Sequence, residues 1–472
     1  MNIMEGKSSV KFISLVFLLI SSILSISNWH IAAQFGIHSV YYLIFVSLFF
    51  LLPVALVSCE LASSYSSYGG VYAWIKDAFG LKVGLLCSWL MWVSNIVWYP
   101  TVFSFIATSL VYHLRWNIAE NRILILICMN LLFWLSNLAN ILGYKFSSRW
   151  ISVSVICSML VPGCLLIFFG ILHFPANTDQ WTGFFSGLCH FEWNMQSSLT
   201  LLTGLLLGFT GSEIAMVHYD KHIQPEKFFP KAIWYSTLLL MIVSIFGTIG
   251  ILQVVPKENV NLITDSLDAI YYHLKMVKMD HFMPLINILI AFGSWFAMSA
   301  YLSEPSKAFL QAVKNSGLSR GLAKSSNASI PTKIMFLQGI FVSLISLPAA
   351  FFPDLTDFYW LLTDFASQLY LLLYLVMFSA VIYLKAIKKV YPIKIIPFGT
   401  KGVWFFSCIG IVVCIVCFCT GCLPPPHSSI TYPILYSSFV VLAISVMAVV
   451  PLLILKYKRI KKNYIDKEPN EV

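Results

Sequence analysis

Charged side chains are scarce in this sequence. Asp, Glu, Lys and Arg make up 11% of the 472 residues, whereas about a quarter of a typical soluble domain is charged. The chain also lacks an H-E-x-x-H motif and a phosphate-binding P-loop, which argues against a zinc peptidase and a P-loop nucleotide hydrolase. A G-x-S-x-G match at 317–321 lies in a basic connector, without the preceding strand that a nucleophilic serine needs. We therefore expect neither a soluble domain nor one of these enzymes.

Long apolar runs take the place of the missing charges. Hydrophobic residues fill 59% of the chain, and a helix of about 20 apolar residues crosses a bilayer. Runs of that length lie near 11–35, 40–62, 82–111, 121–142, 150–172, 198–218, 231–254, 284–304, 333–351, 357–384, 402–423 and 431–455. They predict an all-α integral membrane protein with 12 transmembrane helices in one domain, 1–455, followed by a short basic tail, 456–472. The first run is too long for a cleaved signal peptide and lacks a small-residue cleavage site.

The positive charges are unevenly placed. The net charge is +10, but most Lys and Arg residues lie in alternate connections between the runs. Those on the opposite side are Arg115, Arg122, Lys257, Lys275 and Lys278. Because cytoplasmic connections are rich in Lys and Arg, we expect both termini in the cytoplasm and a multi-pass protein of the inner (plasma) membrane. The charge is then an orientation signal and does not indicate nucleic acid binding.

The cysteines do not predict a metal site. Cys414-x-x-Cys417 and Cys419-x-x-Cys422 have the spacing of paired metal ligands, but their apolar run offers no nearby His or carboxylate. We expect these residues to pack as small hydrophobic side chains, with no metal and no cofactor.

The sixth run contains a carboxylate. Residues 199–209 are apolar, and Thr210, Gly211, Ser212 and Glu213 follow in mid-membrane by count. An acidic residue at the bilayer centre costs about 2.5–3.5 kcal/mol and usually faces a bundle interior or a watery path. Gly211 can leave helical geometry and Ser212 can bond to its own backbone, so the helix can open and offer N–H and C=O groups to a zwitterion. The alternative is a kinked helix in which Glu213 only bonds to a neighbour.

The first run has a matching interruption. Ser27, Asn28, Trp29 and His30 come before a resumed apolar stretch. Matched interruptions in the first and sixth helices indicate a midplane site between two inverted repeats. Repeat 1 would span about 10–175, repeat 2 about 197–386, and two further helices about 402–455. In the alternative interpretation, Asn28 and His30 meet water at the outer interface.

Polar or aromatic residues also stand out in the third and tenth runs. Trp98, beside Pro100, is a candidate wall of the site, although a Trp in a membrane span more often only packs. In the tenth run, Asp364 and Gln368 are four residues apart and share a helix face. Asp364 is either a proton-linked carboxylate or a paired structural acid.

Three motifs resemble those of the amino acid-polyamine-organocation (APC) transporters. The first is Glu-Leu-Ala at 60–62, followed by Gly-Gly-x-Tyr-x-Trp at 69–74. The second, at 220–232, is an acid followed by Pro, a base, Pro and Ala. The third is Pro-Ser-Lys at 305–307, where the eighth run ends. The sequence is identified as similar to this superfamily over nearly its whole length.

Within the superfamily, the segments 52–62 and 209–213 are most similar to the glutamate/γ-aminobutyrate antiporter branch. The resemblance implies a LeuT-like fold, a five-plus-five inverted repeat with discontinuous helices 1 and 6. It implies secondary active amino acid transport by alternating access, without a cofactor. Tyr370 matches a tyrosine that lines the site in this branch, and 261–278 becomes a candidate outer lid.

The substrate site expected from these arguments contains Ser27, Asn28, Trp29, Trp98, Thr210, Gly211, Ser212, Glu213 and Tyr370. N–H groups around Gly211 and Asn28 would hold the substrate carboxylate, and C=O groups with Ser27 or Thr210 its amine. Glu213, Asp364 and His30 are the proton or gating candidates, and Glu213 either supports the opened helix or carries a proton. The expected partners are small amino acids and the lipid bilayer, for a monomer or a homodimer.

Other functions remain open at this point. A proton-coupled amino acid or polyamine symporter needs the same features as an antiporter. A membrane-embedded transferase needs acid, base or metal ligands clustered near one interface, and the sequence shows no such cluster. A channel or a receptor-like sensor would not carry out the strict one-for-one exchange that is expected of a transporter.

Overall fold

The computed structural model describes most of the chain, with gaps. The described residues are 12, 15, 16, 19, 20, 23, 29–64, 70–112, 122–144, 148–172, 195–215, 225–255, 264–318, 320–323, 330–351, 355–390, 392–424 and 433–465. Every regular element among them is a helix, which confirms the all-α prediction.

The helices are named here in chain order. They are α1 (Trp29–Ala33), α2 (Gly36–Ser64), α3 (Gly70–Phe79), α4 (Leu81–Val111), α5 (Arg122–Ile141), α6 (Ser152–Leu172), α7 (Met195–Leu207), α8 (Ser212–Ala215), α9 (Pro225–Leu252), α10 (Asp265–Met276), α11 (Met283–Tyr301), α12 (Glu304–Ser316), α13 (Arg320–Ala323), α14 (Thr332–Ser346), α15 (Leu355–Val381), α16 (Gly399–Thr420) and α17 (Pro433–Ile465). A π turn, Ile382–Ile387, extends α15.

Membrane-crossing helices make up most of the described chain. Ten are long and apolar enough to cross a bilayer, and a shorter apolar segment, helical at both ends, covers Ser198–Ile214. These segments coincide with the second to twelfth apolar runs of the sequence. The first run, 11–35, is described only in part, so the count of 12 helices stays a prediction.

The sixth membrane span is broken where the sequence predicted. α7 ends at Leu207, and the N–H groups of residues 208–210 bond to carbonyl groups three residues earlier. Gly211 has a φ of 110°, a conformation that favours glycine because it has no Cβ. A new helix, α8, begins at Ser212. Of the corresponding interruption in helix 1, at 27–30, Ser27 and Asn28 lie outside the described residues, and Trp29 and His30 are the first residues of α1.

α4 and α15 pack closely against each other. The Ser94 hydroxyl donates to the Ala366 carbonyl at 2.8 Å, and the hydroxyls of Ser104 and Tyr359 are 2.6 Å apart. α4 runs unbroken through Pro100. Residues of both helices, among them Trp98 and Tyr370, face the cavity beside the broken span.

α10 is an amphipathic helix within the segment 261–278 that was expected to form a lid. It packs against α6 and α9, and the His273 ring bonds to the Gly250 carbonyl at 2.8 Å. The Tyr112 hydroxyl, at the end of α4, donates to the Asp268 carboxylate. Burial raises the pKa of Asp268, and the hydrogen bond from Tyr112 lowers it in part.

Candidate functional site

A cavity lies beside the break between α7 and α8. Its volume is about 80 Å³, which is room for several water molecules because one needs about 10–15 Å³ by this measure. The lining residues are Ile23, Ser94, Asn95, Trp98, Tyr99, Val102, Ser158, Leu207, Thr210, Gly211, Ile214, Ser294, Ala297, Met298, Tyr301 and Tyr370. They come from α4, α6, α7, α8, α11 and α15 and from helix 1. The cavity is thus the meeting point of the broken span with its continuous neighbours.

A carboxylate lies directly behind the cavity wall. Glu213 on α8 is completely buried, and its Oε2 atom accepts a hydrogen bond of 2.7 Å from the Tyr374 hydroxyl. The same hydroxyl oxygen accepts the N–H of Gly211 at 3.2 Å. Tyr374 therefore joins the opened backbone to the carboxylate. The Oε1 atom of Glu213 has no hydrogen-bond partner among the described residues, so one acceptor stays unused.

Tyr370 lies one helical turn before Tyr374 and lines the cavity itself. Its hydroxyl accepts a hydrogen bond of 3.4 Å from Asn95 Nδ2, which also donates to the Met91 carbonyl at 2.7 Å. The two tyrosine rings are 5.5 Å apart. Two neighbouring hydroxyl groups of α15 thus bond to different helices: that of Tyr370 to α4, and that of Tyr374 to the Glu213 carboxylate on α8.

The described lining residues include no Lys, Arg or His. The wall combines hydroxyl and amide groups with the aromatic side chains of Trp98, Tyr99, Tyr301 and Tyr370, and Glu213 stands behind it. Such a wall offers acceptors and ring faces to a positive group, since a cation is attracted to aromatic faces and to a carboxylate. The chemistry therefore favours a ligand that carries an amine.

A second, smaller cavity of about 20 Å³ lies farther along α4, on the outer side by the predicted topology. His30, Phe105 and Thr363 are among its lining residues. The residues that line both cavities are Trp98, Val102 and Leu207. These three side chains form the partition between the central cavity and the outer one, with Trp98 as its largest member.

Four of the expected site residues meet at the central cavity: Trp98, Thr210, Gly211 and Tyr370. Ser212 and Glu213 are fully buried beside it without lining it. His30 belongs to the outer cavity. Ser27 and Asn28 lie outside the residues that the structure describes.

Trp29 and Asp364 lie away from the central cavity. The Trp29 ring fills a cleft between α6 and α9, where a Cβ added to Gly247 would come within 2.6 Å of it and one added to Gly163 within 2.9 Å. Trp29 therefore packs helices together in this structure. Asp364 accepts a hydrogen bond of 2.9 Å from the Tyr436 hydroxyl of α17.

Tyr374 and the α11 wall are not among the site residues expected from the sequence. Tyr374 follows Tyr370 by four residues, the spacing of neighbours on one helix face. Ser294, Met298 and Tyr301 are likewise spaced along one face of α11. These spacings were visible in the sequence, but which face of each helix turns toward the break depends on tertiary packing.

Comparison with known sequences gives a match over most of the chain. The model of a family described as amino acid permease matches residues 10–446. An uncharacterized transporter of Legionella pneumophila is 30% identical over 463 residues, which cover 96% of this chain and 97% of that protein. A glutamate/gamma-aminobutyrate antiporter of Lactococcus lactis is 21% identical over 452 residues, 92% of this chain and 88% of that protein.

A solved structure has the same fold. The crystal structure of a manganese transporter from Eremococcus coleocola superposes with a TM-score of 0.57 at 12% sequence identity, over 94% of each chain. At this identity the likeness concerns the fold alone. The described helices are thus arranged as in a solved membrane transporter.

Proposed function

Since the chain belongs to the amino acid permease family and is therefore a multi-pass secondary transporter of amino acids, we propose that it works as an antiporter. It exchanges one amino acid for another, or for its decarboxylated product, in the manner of glutamate/γ-aminobutyrate exchange, and it does so by alternating access. The observation that carries the proposal is the cavity at the break, with Gly211 in its wall and Glu213 buried behind it. A broken helix at a midplane cavity offers both backbone donors and backbone acceptors to a substrate.

The two ends of an amino acid suit different parts of the break. The substrate carboxylate takes the N–H of Gly211, in place of the Tyr374 hydroxyl that accepts it in this structure. The amine is held by carbonyl groups of the break with Thr210, and Glu213 supplies the counter-charge. Trp98 and Tyr370 close the cavity from α4 and α15. Ser27 and Asn28 of helix 1 complete the site.

Exchange in proteoliposomes tests the proposal. Liposomes loaded with unlabelled glutamate or γ-aminobutyrate should take up the labelled compound severalfold faster than empty ones. Succinate, which has two carboxylates and no amine, is the matched control and should not accelerate uptake. Equal uptake into loaded and empty liposomes would contradict antiport.

A proton-coupled symporter of amino acids or polyamines is the second candidate. The observation in its favour is the unused Oε1 atom of Glu213, behind a wall whose described lining has no positive side chain. A carboxylate in this position suits a transported proton or a cationic amine. Putrescine or amino acid uptake into empty liposomes, driven by an imposed pH gradient, would favour this function over exchange.

The orientation follows from the charge distribution. We propose that both termini face the cytoplasm, because the Lys and Arg residues concentrate in the connections on that side. A cysteine introduced at Lys467 should react with a membrane-impermeant reagent in inside-out vesicles and be protected in intact cells. The reverse labelling pattern would overturn the orientation.

A further inference from the structure

A second buried polar cluster lies apart from the substrate cavity, in the outer half of the bundle by the predicted topology. Asp364 and Gln368 are one turn apart on α15, and both are completely buried. Thr203 of α7, Gly421 at the end of α16 and Tyr436 of α17 surround them. None of these residues lines the central cavity. The transport site described above therefore leaves the cluster unexplained.

Hydrogen bonding in this cluster is incomplete. Oδ2 of Asp364 accepts the Tyr436 hydroxyl at 2.9 Å, whereas Oδ1 has no partner among the described residues. Neither Oε1 nor Nε2 of Gln368 has one either. Leaving a buried polar atom unpaired costs about 1–3 kcal/mol, and more for a charged group. Three such atoms on adjacent turns point to a bound species that completes the network.

Among the described residues, the neighbours of Asp364 offer it no positive charge. α4 and α7 contribute no charged side chain to this face. The turn after α16 contributes the thiol of Cys422, and α17 contributes the Tyr436 phenol. The nearest acid along α15 itself is Asp357. Because the described neighbours are neutral or acidic, an ionised Asp364 would be buried without a counter-charge, and a proton is the smallest species that removes this cost.

Gln368 reaches from Asp364 toward the broken span. A Cβ added to Gly421 would come within 2.1 Å of Gln368 Nε2 and 2.8 Å of Thr203 Oγ1, so both groups border the space that the glycine leaves open. Thr203 Oγ1 already donates to the Cys417 carbonyl at 3.0 Å, and its oxygen can accept a further bond. Thr203 precedes the end of α7 by about one turn. A movement of the Gln368 side chain therefore affects α7 about one turn before the break at 208–211.

We propose that Asp364 is a proton-binding site loaded from the outer side, and that Gln368 transmits its protonation to α7 through Thr203. The proposal rests on the transport function argued above. An external proton forms an O–H bond at Oδ1, which donates to Gln368 Oε1 and turns Nε2 toward Thr203 Oγ1. Loss of the proton to the outer water reverses these bonds, and no bond in the substrate changes. Asp364 thereby sets how readily the broken span rearranges at a given external pH.

The site itself is tested without transport. Infrared difference spectra of the purified protein between about pH 7.5 and pH 5.5 should contain a carboxylic acid band that Asp364→Asn lacks, because burial disfavours the ionised carboxylate. Asp357→Asn, on the same helix, is the matched control and should keep the band. An unchanged spectrum in Asp364→Asn overturns the proposal. A band that shifts with sodium at constant pH also overturns it, because the site then binds a metal cation.

The coupling is tested by exchange in proteoliposomes with the internal pH clamped. The wild-type rate should change severalfold between these external pH values, and the Asp364→Asn rate by less than about twofold. Gln368→Leu keeps the Asp364 carboxylate, so it should keep the infrared band but lose the pH dependence of exchange. This variant tests the coupling even if Asp364→Asn does not fold. If Asp364→Asn loses the infrared band but its exchange rate still depends on external pH as in the wild type, the coupling is overturned. Absence of exchange in the wild type would instead contradict the proposed function and leave the infrared test of the site in force.

Discussion

Glu60 on α2 and Lys385 at the end of α15 form an ion pair of 2.7 Å in which neither side chain is exposed. The Glu60 carboxylate also accepts the backbone N–H groups of Lys394, Ile395 and Ile396. Lys385 donates to the Pro392 carbonyl at 2.9 Å. This pair therefore ties two membrane helices to the connection that follows α15.

Lys385→Met should destabilise the protein strongly, because it leaves Glu60 buried without its counter-charge. Breaking a buried pair costs about 3–5 kcal/mol, and we expect a lower thermal midpoint in detergent. Lys401→Met, at an exposed position, is the control and should unfold like the wild type. Combining Lys385→Met with Glu60→Gln should restore part of the loss, and an equal or larger loss in the double variant would argue against the pair.

Glu213→Gln should keep the fold and abolish or strongly slow exchange. The amide can still accept the hydroxyl of Tyr374, but it can neither neutralise an amine nor carry a proton. Initial exchange rates in proteoliposomes measure the effect. Glu304→Gln, at the start of α12 where the carboxylate pairs with Lys307, is the control. Near-normal exchange by well-folded Glu213→Gln would remove Glu213 from the site.

Tyr374→Phe should weaken exchange as well, because Gly211 N–H and Glu213 both lose the hydroxyl that joins them. Hydrogen bonds to charged groups contribute about 1.5–3 kcal/mol, or roughly tenfold or more in rate or affinity. Tyr383→Phe, later on the same helical run, gives the matched control. Identical kinetics for the two variants would show that the hydroxyl of Tyr374 has no part in transport.

Gly211→Val should block substrate binding, because a branched side chain is strained at a φ of 110° and would narrow the cavity. Gly80 also has a positive φ, 86°, with open space around its Cβ position. Gly80→Val therefore carries comparable backbone strain without touching the cavity. We expect a loss of measurable exchange only for Gly211→Val. Equal effects in both variants would mean that strain, not the cavity, explains the loss.

The docking of α10 should depend on pH through Asp268. Burial raises the pKa of Asp268 in the folded protein, so its contribution to stability is full below the unfolded value of about 3.9. That contribution is lost as the pH rises through the folded pKa. Amide hydrogen exchange of 265–276, corrected for intrinsic rates, should therefore speed up with rising pH in the wild type and not in Asp268→Asn. The control Asp280→Asn should follow the wild type, and a pH-independent wild type would contradict the prediction.

The break in the sixth span could be predicted because Gly211 and Glu213 are conspicuous within an apolar run. Their partner Tyr374 could not, because its hydroxyl reaches Glu213 only through the way α15 packs against α8. Trp29 is a second residue whose surroundings depend on tertiary packing. Its place beside a polar interruption suggested a substrate contact, but Gly163 and Gly247, far along the chain, open the cleft that its ring fills. Long-range packing decides which side of a helix faces a cavity, and a single sequence does not contain that choice explicitly.

α15 carries Asp364, Tyr370, Tyr374 and Lys385 on one uninterrupted helical run, including its terminal π turn. At 1.5 Å per residue, Asp364 and Lys385 are about 30 Å apart along the axis, which equals the hydrocarbon thickness of a bilayer. A continuous helix of this length tilts or rotates as a unit, so it does not move at one depth of the membrane alone. Any movement that admits a substrate at its middle also displaces the acid near one surface and the ion pair near the other, so the two faces of the membrane are mechanically linked.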